Sequence, residues 1–321
     1  DLMKFYKEQR YVIKSINLNQ PNLNLELKND SVYNWDIVKA STEAEDTTRK
    51  PYNLEIESFK ISEGNFTYTD IEGNLITNLK NINHTSSGTF NPEKLILASN
   101  TDIDEFLVNY DGVAYVNRWK LTQIGNIDVN LKDEIYGFSK NELTINGLPT
   151  TLDGDLRFVG DDMVFDIAAA SSTPDINRFL TLIPAIYTTD FQSTKTKGES
   201  KLNFLFKGKY NEVLFPSFDL KLLVKNGWLK YPDLELPAED LNLDLHVFSA
   251  DGNVDRTVID IPKLHFKLAN DPFDLKLNLQ DIFGNPLIDL SSRGTIDLDN
   301  LKKIIPPVSY THLTLPTIYS V

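Results

Sequence analysis

The sequence predicts an all-β fold, a long antiparallel sheet with two or so short helices, and three observations predict it. Apolar and polar residues alternate strictly in many short segments, and a period of two sends successive side chains to opposite faces of a strand. Between these segments stand Asn-Gly and Asp-Gly pairs, which tolerate the positive φ that tight hairpin turns demand. Helical periodicity is confined to two short stretches.

The alternation is cleanest at 218–222, 241–247, 264–268 and 273–279, and similar patterns run at 23–27, 54–61, 66–68, 156–158, 163–167 and 202–206. Hairpin signals lie at Glu63-Gly64-Asn65, Asp111-Gly112, Asn146-Gly147, Asp153-Gly154, Asn226-Gly227 and Asp251-Gly252. Together they predict an antiparallel meander. The better helix is expected over 174–183, with Thr173 as N-cap, Pro174 at the first position, and Ile176, Phe179, Leu180 and Ile183 on one face before Pro184. A second is expected over 298–305, stopped by Pro306-Pro307, and the polar stretch 39–50 reads as an exposed loop or linker.

Gly64, Tyr68 and Asp70 match Gly227, Tyr231 and Asp233 at one constant offset. The echo implies two related β units, each a strand, a tight turn, a strand ending in Tyr-x-Asp, and a further strand at 79–84 or 241–247. The chain is accordingly divided into an N-terminal part, 1–170, and a C-terminal part, 171–307. Residues 308–321 are set apart, because Val308 to Thr317 is what a DNA string resembling a transposase mosaic-end sequencing adapter encodes; an artefact is expected there. The opening Asp1-Leu2-Met3-Lys4 does not resemble a natural initiation, so the native N-terminus is expected further upstream.

Composition narrows the function. With 46 acidic against 32 basic residues and a formal charge of −14, the chain lacks the clustered cations that nucleic acid or anionic headgroups require. It has no cysteine, which removes disulfides and thiolate metal sites. No catalytic or nucleotide-binding motif is found, and no cofactor is expected. His84, His246 and His265 sit among polar neighbours, and solvent-facing strand positions account for them better than a metal or a general base. Carboxylates such as Asp102, Asp104 and Glu105, or Asp161 and Asp162, read as surface charge rather than an acid/base pair or cation site. Trp35, Trp119 and Trp228 read as strand packing rather than sugar platforms.

A sheet with one apolar face must cover that face. The cover is a second sheet, helices, of which there are too few, or an apolar ligand. Leu and Phe dominate the alternating positions, which suits a fluid ligand and also fits an ordinary core.

Particular stretches carry a resemblance. They are 175–187, Asp190-Phe191, Lys197-Gly198, Phe215-Pro216-Ser217-Phe218, 226–234 and Asp297-Leu298-Asp299-Asn300-Leu301, with 21–35 and 64–70 nearer the N-terminus. The chain resembles, over most of 10–307, the AsmA family of bacterial envelope proteins in its Bacteroidetes-type form. The resemblance implies a periplasmic body anchored in the inner membrane by an N-terminal helix that this sequence lacks. It also implies a curved β-sheet forming an apolar-lined groove that carries phospholipid between membranes and supports outer-membrane assembly. The expected role is non-enzymatic. The partners implied are phospholipid or another acyl lipid, the inner membrane, and envelope proteins.

The candidate lining is the set of alternating apolar positions: Leu202, Phe204 and Phe206; Phe218, Leu220 and Leu222; Leu241, Leu243, Leu245 and Val247; Leu264, Phe266 and Leu268; and Phe273, Leu275, Leu277 and Leu279. The alternative for each is a position in a closed protein core. The rival reading is a structural β-sandwich scaffold or interaction protein of the periplasm, and an enzyme acting on glycans or lipids stands third.

Overall fold

The computed structural model describes residues 10–29, 32–35, 53–90, 94–160, 162–182, 194–211, 213–232, 235–282, 284–295 and 297. Expectations for 39–50, the helix at 298–305, Asp161 and the tail 308–321 lie outside the described residues. The fold is all-β and mostly antiparallel. The chain divides into two compact units: Asp1–Ser171 with Thr181–Thr189 and Phe204–Ser217, and Ser172–Leu180 with Asp190–Asn203 and Phe218–Val321.

In unit 1, strands β6 (Ser58–Asp70), β7 (Leu75–Phe90), β8 (Lys94–Tyr110), β9 (Val113–Asn130), β10 (Ile135–Ile145), β11 (Leu148–Val159) and β12 (Asp162–Thr173) form a meander, each hydrogen-bonded to the next. Strands β2 (Ile16–Asn19) and β3 (Asn22–Asn29) join β6 in parallel, and β4 (Val32–Tyr33) pairs with β3. A separate parallel pair joins β1 (Arg10–Ile13) to β5 (Asn53–Ile56). In unit 2, β14 (Ser217–Lys230), β15 (Ala238–Ser249), β16 (Val258–Leu268), β17 (Asp271–Gln280) and β18 (Leu287–Gly294) form a second meander. Strand β13 (Lys195–Tyr210) contributes its first part to unit 2 and its last part to unit 1.

These strands are long. At about 3.3 Å per residue, the 18 residues of β9 extend over roughly 60 Å. Bulges interrupt many of them, and each bulge shifts the alternation by one residue. In β6, Phe59 and Ile61 share a face with Gly64 and Phe66, because Glu63 takes φ 52 between them. In β10 the same switch falls at Lys140, with φ 54, so Phe138 shares a face with Asn141 and Leu143.

Three expected hairpins are therefore something else. Glu63-Gly64-Asn65 lies inside β6 and Asn226-Gly227 inside β14, both as bulges. Asp153-Gly154 lies inside β11, where Gly154 has φ +133 and a Cβ would collide with the Asp166 carbonyl of β12. Asp111-Gly112 and Asn146-Gly147 do turn the chain, and Asp251-Gly252 lies in the β15–β16 connection. Two further turns form without Gly. Asn130 Oδ1 accepts from Lys132 N (3.2 Å) and Asp133 N (3.1 Å), and Ala269 and Asn270 both take positive φ.

The echo between the halves is visible in the bulges. Asn226 takes φ 50 where Glu63 takes φ 52, and Asp240 and Asn81 both take φ 51 one strand later. Glu63 N donates to Asn83 Oδ1 (3.1 Å) as Asn226 N donates to Asn242 Oδ1 (3.3 Å). The amide of each asparagine returns to its own strand, Asn83 Nδ2 to Asn81 O and Asn242 Nδ2 to Asp240 O. One asparagine thus bridges the bulges of two neighbouring strands in each unit.

The helix expected over 174–183 is one turn, α1 (Asn177–Leu180). Thr173 Oγ1 accepts from Asp175 N (3.2 Å) and Asp175 Oδ1 from Asn177 N (3.1 Å). These turn bonds carry the chain past Pro174 before the helix begins, so the proline is not its first residue. Ile176 and Phe179 are buried. A 3₁₀ turn, Val254–Arg256, follows β15. The pattern at 54–61 is likewise two strands, with Glu57 between β5 and β6.

Gly154→Val is expected to lower the urea midpoint by the equivalent of about 3 kcal/mol, from strain plus collision with β12. Asn242→Ala is expected to cost about 1 kcal/mol, since it frees the Asn226 N–H at a bulge. Equilibrium urea unfolding followed by circular dichroism checks both.

Candidate functional site

In each unit most apolar strand residues gather on one face, and among the described residues that face is only partly covered. Among the described residues the fully buried large apolar side chains are few: Val129, Leu148, Ile176, Phe179 and Val224. All seventeen residues expected to line the apolar face are half-buried, and none is buried. Strand neighbours shield their flanks, while the outward side of each side chain keeps contact with solvent.

Unit 2 shows how the cross-strand register assembles the face. Val224 lies opposite Leu243, Leu243 opposite Leu264, and Leu264 opposite Leu275, a row across four strands. A second row runs Leu220, Val247, Ile259, Leu279 and Ile288. Leu222 pairs with Leu245, Leu277 with Leu290, and Phe266 stacks on Phe273 with ring centroids 5.3 Å apart. Leu241 lies opposite Gly227, Phe218 opposite Ser249, and Leu268 opposite Asp271, so these three lack an apolar partner on that strand. Leu202 belongs to unit 2. Phe204 and Phe206 belong to unit 1, where Phe206 meets Phe165 at 5.1 Å and Phe215 at 5.7 Å. At the end of the unit 2 meander, Leu287, Ile288 and Leu290 of β18 are 57–67% exposed.

The sequence reading missed a second apolar area, in unit 1. Ile103, Leu121, Ile127, Phe138, Leu143 and Leu152 line a cleft of about 270 Å³ with Thr101, Gln123 and Asn141 at its wall. Two things hid it. The bulge at Lys140 breaks the parity of β10, and polar residues occupy inward positions of β8 and β9.

One of those inward positions corrects an expectation. His84 is half-buried and off the charged face: the bulge at Asn81 moves it to the apolar face, where its Nδ1 lies 2.8 Å from Thr101 Oγ1. Burial pushes its pKa below the ordinary histidine value. His246 and His265 occupy the polar face, paired with Asp219 (2.9 Å) and Asp274 (2.8 Å).

The opposite faces carry charge. Asp104 accepts from Asn81 and Lys120, and Glu105 from Lys80, which hold both carboxyls below the usual carboxylate range. Asp162 accepts from Lys209 (2.6 Å) and Asn211 (2.7 Å). Lys197 sits 5.7 Å over the Trp228 ring, and Trp35 lies against Tyr68. Among the described residues no group of three His, Asp or Glu is placed to hold a metal ion, and no helix is long and apolar enough to cross a membrane.

Comparison with protein-family models, with curated proteins and with solved structures finds no match.

Because folded His84 binds its proton more weakly than the unfolded chain, it favours folding fully above the unfolded value near 6.5 and that contribution is lost as pH falls. Thermal melting between pH 7.5 and 5 is expected to show a falling midpoint, with a shallower fall in His84→Phe.

Proposed function

We propose that this chain is a non-enzymatic lipid carrier of the AsmA type, whose leucine- and phenylalanine-rich faces hold acyl chains. The observation that carries the reading is the half-burial of all seventeen expected lining residues, with none sealed under a second protein layer among those described. An acyl chain completes their burial. Each methylene contributes about 0.8 kcal/mol, so half of a roughly 16-carbon chain accounts for ~6 kcal/mol. Rows such as Val224, Leu243, Leu264 and Leu275 offer similar contacts strand after strand, and a line of equivalent shallow contacts favours sliding over trapping.

The face is acyl-selective rather than charge-selective, because the ionic pairs lie on the opposite side of the strands. The resemblance to the AsmA family implies a periplasmic protein attached to the inner membrane that hands phospholipid towards the outer membrane in support of its assembly.

Mass spectrometry of lipid co-purifying with the protein is expected to find acyl lipid at a defined stoichiometry. Leu243→Asp with Leu245→Asp is expected to keep the strand signal in circular dichroism while lipid occupancy falls about tenfold or more, since a carboxylate on this face resists desolvation. Repeated recovery of folded, lipid-free wild-type protein overturns the reading. Outright unfolding of the double variant favours the scaffold, whose closed core would contain those leucines.

A further inference from the structure

The apolar face of unit 1 is crossed by a polar band. Reading across four strands, His84 of β7 meets Thr101 of β8, Thr101 meets Gln123 of β9, and Gln123 meets Asn141 of β10. Three strand spacings make the band about 14 Å long. Ser99 joins it, donating to Gln123 Oε1 (3.1 Å) and accepting from Gln123 Nε2 (2.8 Å). Asn141, 2% exposed, closes the far end by donating to the Asn126 and Ser139 carbonyls at 3.0 and 3.2 Å.

Almost every polar atom of the band is consumed by its neighbours. Thr101 Oγ1 donates to Gln123 Oε1 (3.0 Å), so its remaining valence toward His84 is that of an acceptor. His84 Nδ1 must then carry the hydrogen and donate to Thr101 (2.8 Å). Nε2 is left with its lone pair, and among the described residues nothing donates to it. Burial favours the neutral form of the ring. The neighbouring cleft shares Thr101, Gln123 and Asn141 with the band, and the rest of its lining is mostly apolar. Neither the band nor the cleft includes a lysine or arginine, so an anionic group finds no counter-charge there.

We propose that this band seats the hydrogen-bond-donating end of an amphiphile, a hydroxyl or ammonium delivered to His84 Nε2, while the attached chain lies along the cleft of Ile103, Leu121, Phe138 and Leu143. The inference rests on the lipid-carrier reading and adds a polar selectivity to it. On an unbroken apolar face a chain slides freely; at the band a donor headgroup gains a bond that a headless chain does not.

The test uses the full chain and three single-chain probes in a competition assay against a fluorescent fatty acid: monoolein, oleylamine and methyl oleate. The first two carry donors and the third carries none. Wild-type protein is expected to prefer monoolein and oleylamine over methyl oleate by about fivefold, the worth of one net hydrogen bond. His84→Phe, which preserves a ring beside Phe59, is expected to erase that preference. Thr101→Val, which frees Nδ1 and lets the tautomer change, is expected to reduce it. The proposal is overturned if either donor probe keeps its advantage in both variants, or if wild type shows no preference. Failure of all three probes to bind folded wild-type protein instead removes the lipid-carrier reading beneath it.

Discussion

A leucine or phenylalanine on a strand needs burial on more sides than its strand neighbours supply, and among the described residues that need is left unmet along whole rows. Val224, Leu243, Leu264 and Leu275 shield one another laterally across unit 2. Yet Val224 alone of the four is fully buried. An ordinary two-layer β protein closes such rows with a facing sheet. Among the described residues these rows keep contact with solvent, and the proposed function rests on that.

Keeping apolar residues on one face over strands of up to 18 residues is a geometric problem as well as a chemical one. The bulges solve it by moving parity within a strand. They need backbone support, and the side chains of Asn83 and Asn242 provide it by tying one strand's bulge to the next. That the same device occurs in both units gives physical content to the Gly64 and Gly227 echo. Both glycines follow a positive-φ residue. At Gly227 a Cβ would crowd Leu241, and at Gly64 it would crowd Ile61.

The two apolar areas differ in character. In unit 2 the rows are almost purely aliphatic and aromatic. In unit 1 a hydrogen-bonded band interrupts the face, its members so fully paired that the low local dielectric strengthens them rather than penalising them. A band of this kind also resists register slip, because a one-residue shift of β9 would carry Gln123 to the opposite face. Among the described residues the one nitrogen of the band without a partner is Nε2 of His84.

Much of this was legible in the sequence. Period-two alternation at 241–247 and 264–279 named the strands and their apolar faces directly, because side-chain direction in a regular strand is decided locally. Asp111-Gly112 and Asn146-Gly147 marked real turns for the same reason. What alternation could not carry was parity across a bulge. Asn81 moves His84 inward and Lys140 aligns Phe138 with Leu143, and neither residue is distinctive until a partner strand supplies the hydrogen bonds that hold its positive φ. Gly154 likewise looks like a turn until β12 is beside it. Residue chemistry and strand period determined the class of fold and one apolar face. Strand pairing alone decided which polar residues share that face, because only the neighbouring backbone determines where each bulge falls.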